Sequence, residues 1–552
     1  MKKIIYYSVL LLILLSELTL FSNGQGFSPR VQKRLQNVID SFKNNPENPF
    51  IGGISVAIKV DGLAEWQGAT GYSARNVDDQ NNLLPGGKAF IVQTLSRIYS
   101  VTKTFTAPLV LELAKEGVFK LEDPVSKYLP LSLINPGLNS SVTIKQLLAH
   151  ESGYSDYTDE LNLQIAVAAQ PTHVWTAFEM LTFVHQLDAP GVVRKYSSTN
   201  YIVLGAIIEV ATGKHVEEFY RSRFFDPLEL KSMYLAIRES DKGHGSLASP
   251  HDNISPFNPV FQQTGQPTFP DTITNIYRFP MTAIASLAFT GGGIVSNVKD
   301  VAEWCSALFD GRATGKPIIN TMLASISPNP DKDGDRLGYG VILSNKISGI
   351  YNFYGHDGNA PGYRSVMFYQ PDKKLTIAIL TNYHGADIYA IAKALYAVVP
   401  DFTCGNTKDD KVNICFYEKN LCLRRPIASL LMRYGAYLGK CAEEHREPYT
   451  KSNDQSNSKL KDATALQQNL SAFPNPFNNT ISFSFKVAGQ GKSTLKLYDM
   501  NGKMLATIFN GVMQKESLHT VNFDGSKLPA GMYMIRLQNT SGTSEKKLMK
   551  IH

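Results

Sequence analysis

Ser100 and Lys103 stand three residues apart in the run RIYSVTKTFTA (97–107). A serine hydroxyl is a poor nucleophile until a base takes its proton, and a lysine one helical turn on can reach that hydroxyl. Burial or a neighbouring cation would strip the lysine of its charge and fit it for that work. Spacing alone decides little: the chain holds six S-x-x-K matches, starting at Ser100, Ser296, Ser456, Ser458, Ser493 and Ser544. Two fall in a polar stretch and two in a β-rich tail, while Ser296 opens a second helix-like segment and is the serious rival. Ser100 is favoured by its place at the start of an apolar helix, whose N-terminal dipole suits an attacking oxygen.

Three further segments carry chemistry-bearing residues. Tyr196-Ser197-Ser198 precedes the helical pattern TNYIVLG, and a tyrosine beside a lysine could act as a phenolate-type general base. LLAHESG (147–153) brings His150 and Ser152, for which a structural role is expected. His356-Asp357-Gly358 follows the strand-like run IYNFYG. There it suits a sheet edge that binds an extended substrate and offers a backbone N–H to an oxyanion.

The elements around these residues read as one α+β unit. Residues 52–73 alternate like strands, with a turn at Asp61-Gly62. Residues 100–116 form a helical pattern that Gly117 stops, with Pro108 expected to kink or fray it. Thr143 and Gln146 make a capping box, and residues 140–237 are mostly helical. Strand patterns return as YGVILSN, IYNFYG, YRSVMFY and LTIAILTN. Strands at both ends with helices between predict a shared antiparallel sheet flanked by helices, with a mostly helical second lobe.

The chain has 552 residues, 43% hydrophobic and 19% charged, with net charge +7: several folded units, not a disordered chain. No Lys/Arg block of the kind that marks a nucleic-acid arm occurs, so no nucleic-acid partner is expected. Lys2 and Lys3, an apolar run to about Phe21 and the small residues Ser22 and Gly24 have the order of a secretory signal peptide, residues 1–24. No later segment is long and apolar enough to span a bilayer, so the mature chain is expected to carry no such span. Cys404, Cys415, Cys422 and Cys441 cluster, which after export suggests two disulfides with the pairing open; Cys305 stands alone as a small buried residue. Nothing implies a metal or organic cofactor. Residues 451–469 read as a polar linker, and alternating runs from 470 to 552 predict a C-terminal all-β sandwich.

Taken together, the segments resemble the β-lactamase-like serine hydrolases: class C β-lactamases, serine D-Ala-D-Ala carboxypeptidases and related esterases. The resemblance runs from about 52 to 382 through RIYSVTKTFTA, LEDPVSKYLP, TIKQLLAHESG, KYSSTNYIVLG, GGGIVSNVKDVAEW and GHDGNAPGYRS, in order and at fitting spacing. It implies a hydrolase domain over 30–400, and the clustered cysteines mark an extension over 401–450. It also implies Ser100 as the acylated nucleophile, Lys103 and Tyr196 as its proton carriers, and an oxyanion hole from the N–H groups of Ser100 and Asn359.

Two departures shift the expected substrate. Ser198 stands where the family usually has an Asn, with Asn200 as a partial substitute, and His356 with Gly358 stands where β-lactamases often have Lys-Thr-Gly. The expectation is therefore a D-peptidase, D-Ala-D-Ala carboxypeptidase or esterase, with a class C-like β-lactamase as the alternative. A catalytically silent binder or adhesin is the alternative of another class. If His356 must be protonated to hold a substrate carboxylate, anion recognition should vary from about pH 5 to 8. FPNPFNNTISFSF, LYDMNGKML, FDGSKLPAGMYMIRL and KKLMKI resemble the C-terminal sorting domain of the type IX secretion system. That implies this machinery as a partner, and a secreted or cell-surface location.

Overall fold

The computed structural model describes residues 26–44, 52–79, 82–277, 279, 281–405, 410–441 and, with short gaps, 469–550. The expected signal peptide and nearly all of the expected linker lie outside the described residues. The chain divides into two compact units, 1–448 and 449–552.

The first unit is built on an eight-stranded sheet. Its strands are β1 (Gly53–Val60), β2 (Ala64–Val77), β3 (Leu83–Ala89), β4 (Arg336–Leu337), β5 (Ile342–Ser344), β6 (Phe353–Ala360), β7 (Tyr363–Gln370) and β8 (Leu375–Thr381). Their order is β3-β2-β1-β8-β7-β6-β5-β4. Strands from the two ends of the domain meet at its centre, Ile54 opposite Thr381 and Ala57 opposite Ala378, all antiparallel. The shared sheet predicted from the terminal strand patterns is therefore present.

Period-two alternation sends the central strands' side chains to two different cores. Val56, Ile58, Ile377 and Ile379 face a cluster closed by helices α1 (Pro29–Lys43) and the C-terminal Ile388–Val398. Ala57, Ala378 and Leu380 face the larger cluster, with Phe105, Leu109, Tyr201 and Trp304 of the helical lobe. Within that lobe α2 (Lys103–Lys115) runs on through Pro108 without interruption. The Thr143–Gln146 capping box forms as expected.

The cysteine-rich segment is part of this unit rather than an appendage. Strands Lys411–Phe416, Lys419–Arg424 and Tyr437–Leu438 pair into a small sheet. Val412, Ile414 and Leu438 join the α1-side core. Disulfides Cys404–Cys422 and Cys415–Cys441 resolve the open pairing. Cys305 is fully buried, and desolvation pushes its thiol well above the ordinary range.

The second unit holds a three-stranded sheet (Asn469–Phe473, Thr480–Lys486, His519–Asp524) and a four-stranded one (Met504–Met513, Gly491–Asp499, Gly531–Asn539, Gly542–Lys550). Ile481, Phe483 and Phe485 of the first and Leu495, Leu497, Ile535 and Leu537 of the second share one core, as a sandwich requires. Among the described residues no helix is long and apolar enough to cross a membrane.

Candidate active site

Ser100 sits in a 3₁₀ turn, Tyr99–Thr102, that leads directly into α2. This differs from the expected α-helical start and improves the geometry. With three residues per turn, positions i and i+3 eclipse, so Lys103 rises directly beside Ser100. Tyr99, immediately before the serine, has φ 43°, a conformation that costs an aromatic residue energy and so must be imposed by its surroundings. Those surroundings are visible. The hydroxyl of Ser365 on β7 donates to the Ile98 carbonyl at 2.8 Å, and the Ile294 N–H donates to Thr102 Oγ1 at 3.1 Å. Gly358 of β6 lies so close that a Cβ there would come within 2.1 Å of the Ile98 carbonyl. The glycine of His356-Asp357-Gly358 is thus fixed by the approach of the serine turn to the strand.

Lys103 is fully buried. Its Nζ lies 3.0 Å from Ser100 Oγ, 2.7 Å from the Gly291 carbonyl and 3.4 Å from Ser198 Oγ. Burial lowers its pKa from 10.5 to about 7, opposed by the carboxylates of Asp156 and Asp357. A neutral amine has two N–H groups and one lone pair. Gly291 and Ser198 can take the two N–H groups, leaving the lone pair for the Ser100 hydroxyl.

Tyr196 reaches the same oxygen from the other side, its hydroxyl 2.8 Å from Ser100 Oγ. Burial raises its pKa well above 10, beyond what the Ser100 hydrogen bond offsets. The residue is therefore a neutral phenol, which corrects the phenolate expected from sequence. His150, with φ 57°, stacks on its ring at a centroid distance of 4.6 Å and accepts from the Ser197 N–H at Nδ1. It is neutral too, held well below its ordinary pKa by burial and by Lys103. Ser152 donates to Asn200 Oδ1 at 2.5 Å, and Asn200 is itself fully buried. Asn200 is thereby committed to the packing beneath the site and does not substitute for the missing amide, whereas Ser198 stands in the site. Asp156 holds Ser198 in place by accepting its N–H at 2.8 Å.

His356, Asp357 and Gly358 lie within β6, at a sheet edge as expected. Strand β5 pairs with β6 only as far as Gly355, so from His356 onward the strand has β7 on one side and the serine turn on the other. His356 is 3% exposed, and burial together with Lys103 lowers its pKa to about 3. It is therefore held neutral between pH 5 and 8, which argues against the pH-dependent anion contact expected from sequence. Asn359 and Ser100 line one cleft of about 200 Å³.

The rival motif is not assembled. Ser296 ends the short strand Ile294–Ser296 and donates to the Asn297 carbonyl, and Lys299 is exposed. Sequence reading missed Asp156, the Gly291 carbonyl and the apolar wall of the cleft. Only the last had a signal, in the spacing of Phe257 and Phe261.

Residues 39–398 match the Beta-lactamase family, and residues 471–551 match the secretion system C-terminal sorting domain. A curated relative, Protein flp of Staphylococcus aureus (strain N315), is 30% identical over 354 residues, 64% of this chain and 63% of that protein. The counterpart from strain MW2 is 31% identical over 39% of its own length, so the chain spans under two thirds of these relatives. Among solved structures, a D-stereospecific amidohydrolase from Streptomyces sp. has TM-score 0.52 at 24% identity, covering 66% of this chain and 98% of that one. A D-amino acid amidase from Ochrobactrum anthropi SV3 has TM-score 0.54 at 23% identity, covering 67% and 98%. At such identities the likeness speaks to the fold. With the family model matched over residues 39–398, and a lysine amine and a phenol both within hydrogen-bond distance of one serine hydroxyl, the chain belongs to the beta-lactamase family of serine hydrolases and carries a C-terminal sorting domain.

Proposed function

We propose that the protein hydrolyses a peptide, amide or ester carbonyl through an acyl-enzyme on Ser100. The observation that carries this is the placement of Ser100 Oγ between Lys103 Nζ at 3.0 Å and Tyr196 OH at 2.8 Å. The neutral Lys103 amine takes the Ser100 proton as Oγ attacks the carbonyl carbon. The backbone N–H groups of Ser100 and Asn359 stabilise the developing oxyanion, and His356, Gly358 and Ser198 shape its surroundings. Tyr196, a phenol in the resting state, gives its proton to the leaving group and is reprotonated at the expense of the Lys103 ammonium. The bond from carbon to the leaving group breaks, and Ser100 keeps the acyl group. Water then attacks the ester with the same residues reversing roles, which returns Ser100 to its hydroxyl form.

His356 with Gly358, where β-lactamases often have Lys-Thr-Gly, supports D-peptide, D-amino-acid amide or ester substrates over β-lactams. The match to a sorting domain supports export to the cell surface or medium through the type IX machinery, with residues 1–24 as signal peptide, 30–400 as hydrolase, 451–469 as linker and 470–552 as the address. Intact-mass measurement after exposure to a penicillin and to an activated ester tests the chemistry. Acyl adducts on the native chain but not on Ser100→Ala are expected. Adducts on the variant, or none on the native chain with any donor, would overturn it. Export of a reporter fused to residues 473–552 tests the address.

A further inference from the structure

The cleft that opens at Ser100 is walled by apolar side chains from three separate segments. Leu163 and Val167 come from helix Leu161–Ala169, Phe257 and Phe261 from 255–263, and Phe279 and Leu287 from 279–292. The phenylalanines brace one another, with Phe261 and Phe279 at a centroid distance of 5.8 Å and Phe257 and Phe279 at 6.2 Å. They form part of a small apolar cluster distinct from the two main cores. Among the described residues no charged side chain lines the cleft.

Its volume is about 200 Å³. An apolar cavity of about 150 Å³ takes a benzene ring, so this one has room for a ring and the carbon that carries it. Its side of the nucleophile is also informative. Ser100 and Asn359 line the cleft, whereas Tyr196, Lys103 and His356 do not. A leaving group must lie against the acid that protonates it, and here that acid is Tyr196. The cleft therefore lies on the acyl side of the scissile bond.

We propose that the cleft binds the acyl-side arm of the substrate, and that this arm is an uncharged aryl or branched alkyl group of about benzyl size. The inference rests on Ser100 being the acylated residue. Filling the cleft displaces water from phenylalanine and aliphatic walls that cannot hydrogen-bond it, whereas a carboxylate there would lose its hydration with no charged partner among the described residues.

The test uses the full chain and three p-nitrophenyl esters, the acetate, the phenylacetate and the 4-carboxyphenylacetate. Each rate is normalised to spontaneous hydrolysis, and acylation of Ser100 is followed by intact mass. The phenylacetate should exceed the acetate in kcat/KM by roughly 10- to 100-fold, the gain from burying one such side chain. The 4-carboxy ester should lose most of that advantage. Val167→Trp, which narrows the cleft, should lower the phenylacetate-to-acetate ratio, and Phe261→Ala, which widens it, should move the preference toward a naphthylacetate. Equal rates for acetate and phenylacetate, or a 4-carboxy ester as good as the phenylacetate, would overturn the assignment of the cleft while leaving the acyl-enzyme intact. Failure of all three esters to label Ser100 would instead overturn the acyl-enzyme, and this inference with it.

Discussion

Two Ser-x-x-Lys segments lie in the same unit, at 100–103 and at 296–299, and their surroundings differ at every reacting atom. In the first, a 3₁₀ turn eclipses the two side chains and the lysine is fully buried against Gly291, Ser198 and Ser100. In the second, the chain changes from strand to helix between the two residues. Asn297 caps the helix Val298–Asp310, Ser296 Oγ lies 3.2 Å from Ser232 Oγ, and Lys299 remains in water. Desolvation is what makes an amine a base near neutral pH, and a water-exposed lysine at the same spacing has none of it. The motif is thus a local arrangement only, and the packing above it supplies the burial that the proposed role of Lys103 requires.

The largest test of that contrast is Ser100→Ala, which should lower kcat/KM by about 10³-fold or more. A residual rate above a few per cent would mean that another hydroxyl is acylated. Lys103→Met should cost roughly 10²- to 10⁴-fold in kcat/KM. It also has a second, independent readout in stability. Between about pH 7 and 10.5 the folded wild type has released the Lys103 proton while the unfolded chain still holds it. Unfolding there takes up a proton, so wild-type stability measured against Lys103→Met should rise with pH across this window, by an amount on the order of a few kcal/mol. A constant difference would show that the lysine is not desolvated.

Tyr196→Phe should lower turnover by about 10²-fold, with the greater effect on substrates whose leaving group needs a proton. Equal losses for an amide and for a p-nitrophenyl ester would argue against its role as the acid. For the native protein, kcat/KM for a neutral substrate should climb through about pH 7 as Lys103 loses its proton. No separate limb from His356 should appear between pH 5 and 8, since that group titrates near 3. A flat profile across those values would sink the assignment of Lys103 as base. The smallest effect belongs to the second segment, where Lys299→Ala should change activity less than twofold and stability by no more than about 0.5 kcal/mol. A large loss would erase the distinction between the two motifs.

Much of the frame was legible in the residues because it is written in local periodicities. The strand-like runs at 53–60 and 375–381 announced strands of one sheet, and the Thr143–Gln146 pair announced its cap. The positions that sequence reading mistook are those whose state depends on distant neighbours. Asn200 looked available as an amide and is instead taken by Ser152. Tyr196 looked like a phenolate because a lysine was near, yet burial raises its pKa beyond what its hydrogen bonds to Ser100 and Ser198 offset. His356 looked like a titrating cation and is neutral for the same reason. The fate of the four clustered cysteines could be narrowed to disulfides by compartment, but the pairing needed the small sheet that brings Cys404 to Cys422 and Cys415 to Cys441.

By itself, then, the sequence determined which residues could react, in what order along the chain, and on what kind of scaffold. Side-chain type, spacing and hydrophobic period are properties of short stretches, and they survive in a linear reading. Tertiary structure decided which of the two lysines is buried against a serine hydroxyl, and in which direction burial shifts Tyr196 and His356. It also gave the nucleophile an apolar cleft made from segments more than a hundred residues apart in some cases. Those outcomes are set by desolvation and by contacts between remote segments, and free energies of that kind exist only once the chain has closed around the site.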